Sequence, residues 1–221
     1  MTLIDLSHEI TAGMTTYPGL PAPEITPHLT REASRDVYAP GVEFAIDRIT
    51  MVGNTGTYLD APFHRYEGGT DLADLPLTSV ADLPTLVVRA TKNRAVDAAV
   101  LADALADRPA PRGHAVLLHT GGDRHWGTAA YADDAPYLSE DGAGYLAEAG
   151  VALVGIDSVN IDQVTPEGYR PAHSILLAAE IPVLEHLTNL AAVPDTGGRL
   201  HAAPPPVRDF GTFPVRAYVV V

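Results

Sequence analysis

The sequence predicts a single mixed α/β domain in which strands outnumber helices. Short aliphatic and β-branched runs recur along the chain with the length and composition of strands, whereas only two segments have the periodicity of helices. Nineteen prolines and 19 glycines limit the length of every element. The 221 residues contain no repeat and no obvious linker, and a chain of this length can bury a sizeable core in one unit. We therefore treat residues 1–221 as one domain.

The predicted strands begin with "TLIDLSH", Thr2–His8. The segment Glu43–Val52 alternates in character along its length, and this pattern predicts a half-buried strand. Four further runs rich in aliphatic residues also predict strands. These runs are Thr85–Ala90, Ala115–Thr120, Val151–Asp157 and the closing segment Phe213–Val221.

Two segments predict helices. Asp97–Asp107 places Val100, Leu101, Ala104 and Leu105 on one face, and Asp97 is a suitable N-terminal cap. Ser139–Ala149 combines a serine cap with two acidic residues in its first turn, and Gly150 follows as a C-terminal stop.

Composition restricts the classes of function. The net charge of −14 would repel nucleic acid and anionic membranes, so neither is an expected partner. There is no cysteine, so any metal must be held by oxygen and imidazole ligands. No apolar run is long enough to span a bilayer, and the N-terminal segment lacks the features of a signal peptide. A cytoplasmic enzyme that acts on a small molecule fits these limits.

The segment "MVGNTGTYLDAPFHRYEGG", Met51–Gly69, concentrates polar groups that can carry chemistry. Asn54, Tyr58 and Asp60 are separated by even numbers of residues, so in an extended chain they project from one face. His64 follows beyond a proline bend and can converge on the same pocket. An ordinary Asx-type turn with an exposed histidine is the alternative interpretation of this segment.

Two other clusters are candidates. His173 and Glu185 flank an apolar run, and a carboxylate that follows apolar residues is costly to bury unless it is paired or bound to a cation. An exposed strand end would explain Glu185 equally well. His119, His125 and Trp126 follow a predicted buried strand, where ligands often bind in α/β folds. Trp126 could cover a flat substrate or belong to the core.

Three of these segments together resemble the cyclase family, which includes bacterial kynurenine formamidases, isatin hydrolases and cyclase-like proteins of polyketide pathways. They are "NTGTYLDAPFH", "LVGIDSVNID" and "AHSILLAAEIPVLEHL", and the resemblance extends from "IDLSHEI" to "FPVRAYVVV". The family signature is His-x-Gly-Thr-His-x-Asp-x-Pro-x-His. This chain has Asn54 and Tyr58 in place of the first two histidines. The retained signature residues are Gly56, Thr57, Asp60, Pro62 and His64.

The resemblance implies a fold of the swivelling β/β/α type and a homodimer or homotetramer. It also implies that Asp60, His173 and Glu185 bind a divalent metal. His64 matches the proton-transfer histidine, and Tyr17 falls where relatives place an aromatic residue against the substrate. Trp126 and His125 are further candidates for substrate contacts.

The two substitutions leave more than one function open. Without the imidazoles the first metal position loses most of its affinity, and the remaining two-carboxylate, one-imidazole set suits Mn²⁺ or Mg²⁺ better than Zn²⁺. The favoured function is metal-assisted hydrolysis of an amide, lactam or lactone, or the reverse ring closure. The alternative is a metal-independent cyclase, dehydratase or isomerase with His64 as general base and with Asn54 and Tyr58 as oxyanion donors. A non-catalytic binding protein is the third interpretation.

Overall fold

The computed structural model describes residues 1–221 as one nine-stranded mixed sheet, two small two-stranded sheets and four α-helices. The helices are α1 (Arg31–Ser34), α2 (Ala98–Leu105), α3 (Glu140–Ala149) and α4 (Pro171–Ala178). The strands are β1 (Leu3–Asp5), β2 (Glu24–Leu29), β3 (Ile46–Thr50), β4 (Tyr58–Asp60), β5 (Leu83–Arg89), β6 (Ala95–Val96), β7 (Ala115–His119), β8 (Tyr137–Leu138), β9 (Leu153–Ile156), β10 (Val183–Glu185), β11 (Thr196–His201), β12 (Thr212–Pro214) and β13 (Tyr218–Val220).

The large sheet has the strand order β1-β13-β11-β5-β7-β9-β10-β4-β12. Its centre, β5 to β10, is parallel, and the strands on both sides pair antiparallel. Parallel strands in the middle of a sheet are covered on both faces, which explains why the runs predicted as buried are continuously apolar. The arrangement places the carboxyl ends of β7, β9 and β10 along one edge.

Two buried hydrophobic clusters lie on opposite faces of this sheet. Successive strand residues alternate between them: Val116 and Leu118 belong to one cluster, whereas Ala115 and Leu117 belong to the other. The helices α2, α3 and α4 cover only the first face. The second cluster is enclosed by the sheet itself and by its loops. None of the four helices has the length and the hydrophobicity that a membrane-spanning segment requires.

The two predicted helices are confirmed. Asp97 caps α2 by accepting a hydrogen bond from the backbone N–H of Val100 (2.8 Å). Ser139 caps α3 in the same way, and Gly150 ends this helix with a positive φ of 71°. Helix α4 was not predicted, because its only sequence signal was a proline at its first position.

Two strand predictions need correction. The strand in Glu43–Val52 forms as β3, but its residues are exposed, because β3 pairs only with β2 in a ribbon outside the large sheet. The predicted strand Phe213–Val221 is two strands. β12 pairs with β4 at one edge of the large sheet, whereas β13 pairs with β1 and β11 near the other.

Candidate active site

A buried cluster of two carboxylates and one imidazole lies where β4 pairs with β10. Asp60 and Glu185 come from these two strands, and His173 comes from the first turn of α4. Each of the three side chains offers a ligand atom within 4.8 Å of the others, and all three residues are buried. His173 Nε2 lies 3.4 Å from Asp60 Oδ2 and 3.7 Å from Glu185 Oε1. The three predicted metal ligands are therefore brought together.

Asp162 fixes the orientation of the imidazole. Its carboxylate accepts hydrogen bonds from the Nδ1 of His173 (2.6 Å) and from the backbone N–H groups of Ala172 (2.6 Å) and His173 (3.1 Å). With Nδ1 donating to Asp162, Nε2 is the nitrogen that faces Asp60 and Glu185. Asp162 was not among the residues predicted from the sequence, although Asp162 is the last residue of the segment "LVGIDSVNID", which is one of the three that resemble the cyclase family.

His64 is connected to Asp60 through a threonine hydroxyl. Thr212 Oγ1 lies 2.5 Å from Asp60 Oδ1 and 2.7 Å from His64 Nδ1. Because the hydroxyl has one hydrogen, which it donates to the carboxylate, it must accept from a protonated Nδ1. The Nε2 of His64 is then the free base of the ring. Thr212 was also missed by the sequence reasoning, since it reaches the site only through the pairing of β12 with β4.

Tyr58 is bound to the cluster rather than free in the cavity. Its hydroxyl donates to Glu185 Oε2 (2.5 Å), and the backbone N–H of Ile161 donates to Glu185 Oε1 (2.5 Å). Burial, followed by the charges of Glu185 and Asp60, holds the pKa of Tyr58 well above its ordinary value. In this arrangement Tyr58 is a neutral phenol that donates to Glu185.

The pKa values of the ionisable groups in the cluster depend on one another. Burial alone would lower the pKa of His173, but the three surrounding carboxylates outweigh burial and raise this pKa to about 10. Burial and the charge of Asp60 raise the pKa of Glu185 above its ordinary value, against the opposing effect of His173. Without a cation, a proton on His173 thus compensates the carboxylates, and a divalent cation would take the place of that proton.

A cavity of about 260 Å³ opens above the cluster. Four of the predicted catalytic and substrate residues, Tyr17, Asn54, Tyr58 and His64, line it. The remaining lining residues are Leu20, Arg65, Asn160, Arg170, His173 and Glu185. The segment Met51–Gly69 is therefore part of a pocket and not an ordinary exposed turn.

Trp126 and His125 lie elsewhere. Trp126 stacks on His8, with ring centroids 3.9 Å apart, and lines a separate cavity of about 540 Å³ together with Tyr131. His125 lines a third cavity of about 320 Å³. The structure does not bring either side chain into the cavity above the cluster, and their role as substrate contacts stays a prediction.

A mixed α/β sheet with a buried carboxylate–imidazole cluster below a small cavity is the arrangement of a small-molecule enzyme. The chain belongs to the cyclase family, because the family model described as "Putative cyclase" matches residues 4–163. This membership confirms the resemblance seen in the sequence and the prediction that the chain is a cyclase-family enzyme.

Comparisons with individual proteins agree with this assignment. The chain is 30% identical to a kynurenine formamidase of Bordetella avium (strain 197N), over 97% of this chain and 96% of the relative. It is 27% identical to a kynurenine formamidase of Bacillus thuringiensis subsp. konkukian (strain 97-27), over 98% of this chain and 96% of the relative.

Two solved structures share the fold. Isatin hydrolase A from Labrenzia aggregata bound to benzyl benzoate superposes with a TM-score of 0.85 at 22% identity, covering 100% of this chain and 93% of the other. A potential metal-dependent hydrolase with cyclase activity superposes with a TM-score of 0.77 at 26% identity, covering 99% and 96%. These superpositions confirm the predicted fold class, an α/β domain around a mixed β core.

Proposed function

We propose that the chain is a metal-assisted hydrolase that opens an amide, lactam or lactone of a small molecule. The observation that carries the proposal is the cluster of Asp60, His173 and Glu185, buried below a cavity that His64 also lines. Without a metal, one protonated imidazole faces two buried carboxylates and compensates them only in part, whereas a divalent cation would compensate both. The names of the relatives, kynurenine formamidase and metal-dependent hydrolase, support the same reaction class.

The donor set fits a divalent cation. It offers carboxylate oxygens from two strands and one imidazole nitrogen whose partner nitrogen is held by Asp162. An imidazole oriented by a carboxylate is a recurrent feature of metal centres. Oxygen-rich sets of this kind accept Mn²⁺ and Mg²⁺, and a single imidazole also permits Zn²⁺. We therefore propose one divalent cation, Mn²⁺, Mg²⁺ or Zn²⁺, held by these three residues.

A cation bound there would lower the pKa of water and polarise the carbonyl group of the substrate. The chain's own side chains would supply the proton transfer and the contacts to the substrate. Thr212 and Asp60 keep the Nδ1 of His64 protonated, so the Nε2 of His64 can take a proton from the attacking water. The same nitrogen can then deliver this proton to the leaving nitrogen or oxygen. Tyr17 borders the cavity and offers an aromatic face to the substrate.

Asn54 and Tyr58 were both predicted to donate hydrogen bonds to a substrate oxygen, and this geometry supports that role for Asn54 only. The single hydrogen of the Tyr58 hydroxyl is engaged by Glu185, so Tyr58 has no free donor for a substrate oxygen in this arrangement. The side chain of Asn54 forms a hydrogen bond with Tyr58, but Asn54 also lines the cavity, and its second amide hydrogen can orient a carbonyl group. The metal-independent alternative, which needs both donors on one oxygen, therefore receives less support than the metal-assisted reaction.

The test is a titration of the apoprotein with Mn²⁺, Mg²⁺ and Zn²⁺ by calorimetry, followed by assays on aromatic formamides, lactams and lactones. We expect close to one equivalent of bound metal and turnover that depends on it. Asp60→Asn should abolish both. Asp107→Asn, the same change on an exposed carboxylate, should alter neither. Turnover that persists in strong chelator with no bound metal would contradict the proposal and favour the metal-independent reaction.

A further inference from the structure

Two arginines line the cavity above the cluster, and neither has a carboxylate partner. Arg65 directly follows His64, and Arg170 precedes the first turn of α4. Neither guanidinium forms a nitrogen–oxygen ion pair within 4.0 Å. Seven other arginines of this chain do form such pairs: Arg35, Arg89, Arg94, Arg108, Arg199, Arg208 and Arg216.

Four further arginines, Arg31, Arg48, Arg112 and Arg124, also lack a carboxylate partner, so Arg65 and Arg170 differ from them by their position at the cavity above the cluster. The cluster itself contains carboxylates, yet neither Arg65 nor Arg170 bonds to them. Two positive groups are thus presented to a cavity of about 260 Å³ without being neutralised by the protein.

Each guanidinium has a local contact within the chain. Arg170 is half-buried, and its Nη1 donates to the backbone carbonyls of Tyr169 (3.0 Å) and Gln163 (3.4 Å). The guanidinium carbon of Arg65 lies 5.2 Å from the centroid of the Tyr66 ring. A guanidinium has five N–H donors, so most donors of each group remain available. The hydrogen bonds of Arg170 reduce the conformational freedom that this side chain would lose on binding an anion.

We propose that the substrate carries a carboxylate, which pairs with Arg65 and Arg170 while the bond to be hydrolysed lies over the cluster. This inference rests on the proposed hydrolase function and specifies its substrate class. A planar guanidinium matches the two oxygens of a carboxylate better than any neutral group. With a divalent cation in place, the charges of Asp60 and Glu185 are compensated, and the two arginines make the cavity attractive to an anion.

The test compares two aromatic formamides that differ only in a ring carboxylate, formanilide and 3-carboxyformanilide. Wild-type enzyme should have a kcat/KM about tenfold or more higher for the anionic probe, since one charge-assisted hydrogen bond has at least that effect. Arg170→Gln and Arg65→Gln should each lower kcat/KM for the anionic probe about tenfold, mainly through KM, and lower it much less for the neutral probe. Arg170→Lys should restore part of the loss because the charge remains.

Arg112→Gln is the matched control. Arg112 is an exposed arginine without an ion-pair partner in the loop before β7, and it does not line the cavity above the cluster. This variant makes the same change in net charge, and both probes should retain wild-type kinetics. If the two Arg→Gln variants lower kcat/KM equally for both probes, or if wild type does not distinguish the probes, the inference is overturned while the hydrolase function stands.

A binding measurement tests the carboxylate site independently of the proposed hydrolase activity. If neither probe is hydrolysed, benzoate and benzyl alcohol are titrated into the metal-loaded protein by calorimetry. Benzoate binding that Arg65→Gln and Arg170→Gln each weaken about tenfold would support the anion site without the proposed reaction. Equal binding of both compounds to wild type and variants would overturn the inference.

Discussion

Asp162→Asn tests whether the proposed metal centre depends on a residue that would not touch the metal. The carboxylate of Asp162 accepts three hydrogen bonds, one from His173 Nδ1 and two from backbone N–H groups at the start of α4. Asparagine has the same shape but only one acceptor oxygen, and its amide nitrogen donates. His173 can then no longer donate Nδ1–H to a carboxylate, and Nε2 is no longer the nitrogen that is reliably free to bind metal.

The expected loss follows from these contacts. Replacement of the hydrogen-bond partner of a metal-ligating histidine lowers metal affinity about 10- to 100-fold, equivalent to about 1.4–2.7 kcal/mol of binding free energy. The two contacts at 2.6 Å are to buried groups, so the apoprotein should also lose about 1–3 kcal/mol of unfolding free energy. This second effect must be measured separately, because it reports folding and not the metal centre.

The assay is calorimetric titration of Mn²⁺ into folded apoprotein, with urea unfolding of the same samples. Histidine-selective ¹⁵N spectra would report which ring nitrogen of His173 carries the proton. Asp107→Asn serves as control, since that carboxylate is exposed. A variant that is folded and binds Mn²⁺ within twofold of wild type would refute the positioning role of Asp162.

Three further changes probe separate contacts. Gly211→Ala would place a Cβ 2.4 Å from the backbone nitrogen of His64, so we expect a loss of about 1–3 kcal/mol of unfolding free energy and reduced turnover; an unchanged urea midpoint would contradict this. Tyr58→Phe removes the donor to Glu185, and the same unfolding assay should show a loss of about 1.5–3 kcal/mol. Burial lowers the pKa of His8 to about 4, so between about pH 6.5 and 4 the unfolded chain binds the additional proton and stability falls as the pH falls. Protonation of His8 should also change the fluorescence of the single tryptophan stacked on it near pH 4 and not near pH 6.5, and His8→Asn should abolish this transition.

The proposed metal ligands could be predicted from the sequence because each belongs to a short segment that can be recognised on its own. Asp60 belongs to a long signature, and Glu185 follows an apolar run that the structure buries as β10. Asp162 and Thr212 could not be recognised in this way. Thr212 lies 152 residues from Asp60 along the chain, and nothing local indicates that β12 pairs with β4.

Strand order explains why Trp126 and His125 lie outside the cavity. The rule that ligands bind after the carboxyl ends of parallel strands placed them correctly at the end of β7. The order β7-β9-β10-β4, however, puts two strands between β7 and the strand that carries Asp60. Strand order depends on long-range pairing, so a local pattern cannot predict which strand ends share a pocket.

The positions of β12 and β13 in the large sheet have a consequence for how the chain folds. These neighbouring segments insert at distant places in the large sheet, β12 against β4 and β13 between β1 and β11. Both pairings join residues that are far apart in sequence, and closing such large loops slows folding. During synthesis β1 and β4 emerge long before their partners do, so their edges stay open until the last strands arrive. The hydroxyl that orients His64 is delivered by β12, so catalytic competence should appear only late in folding, after most secondary structure has formed.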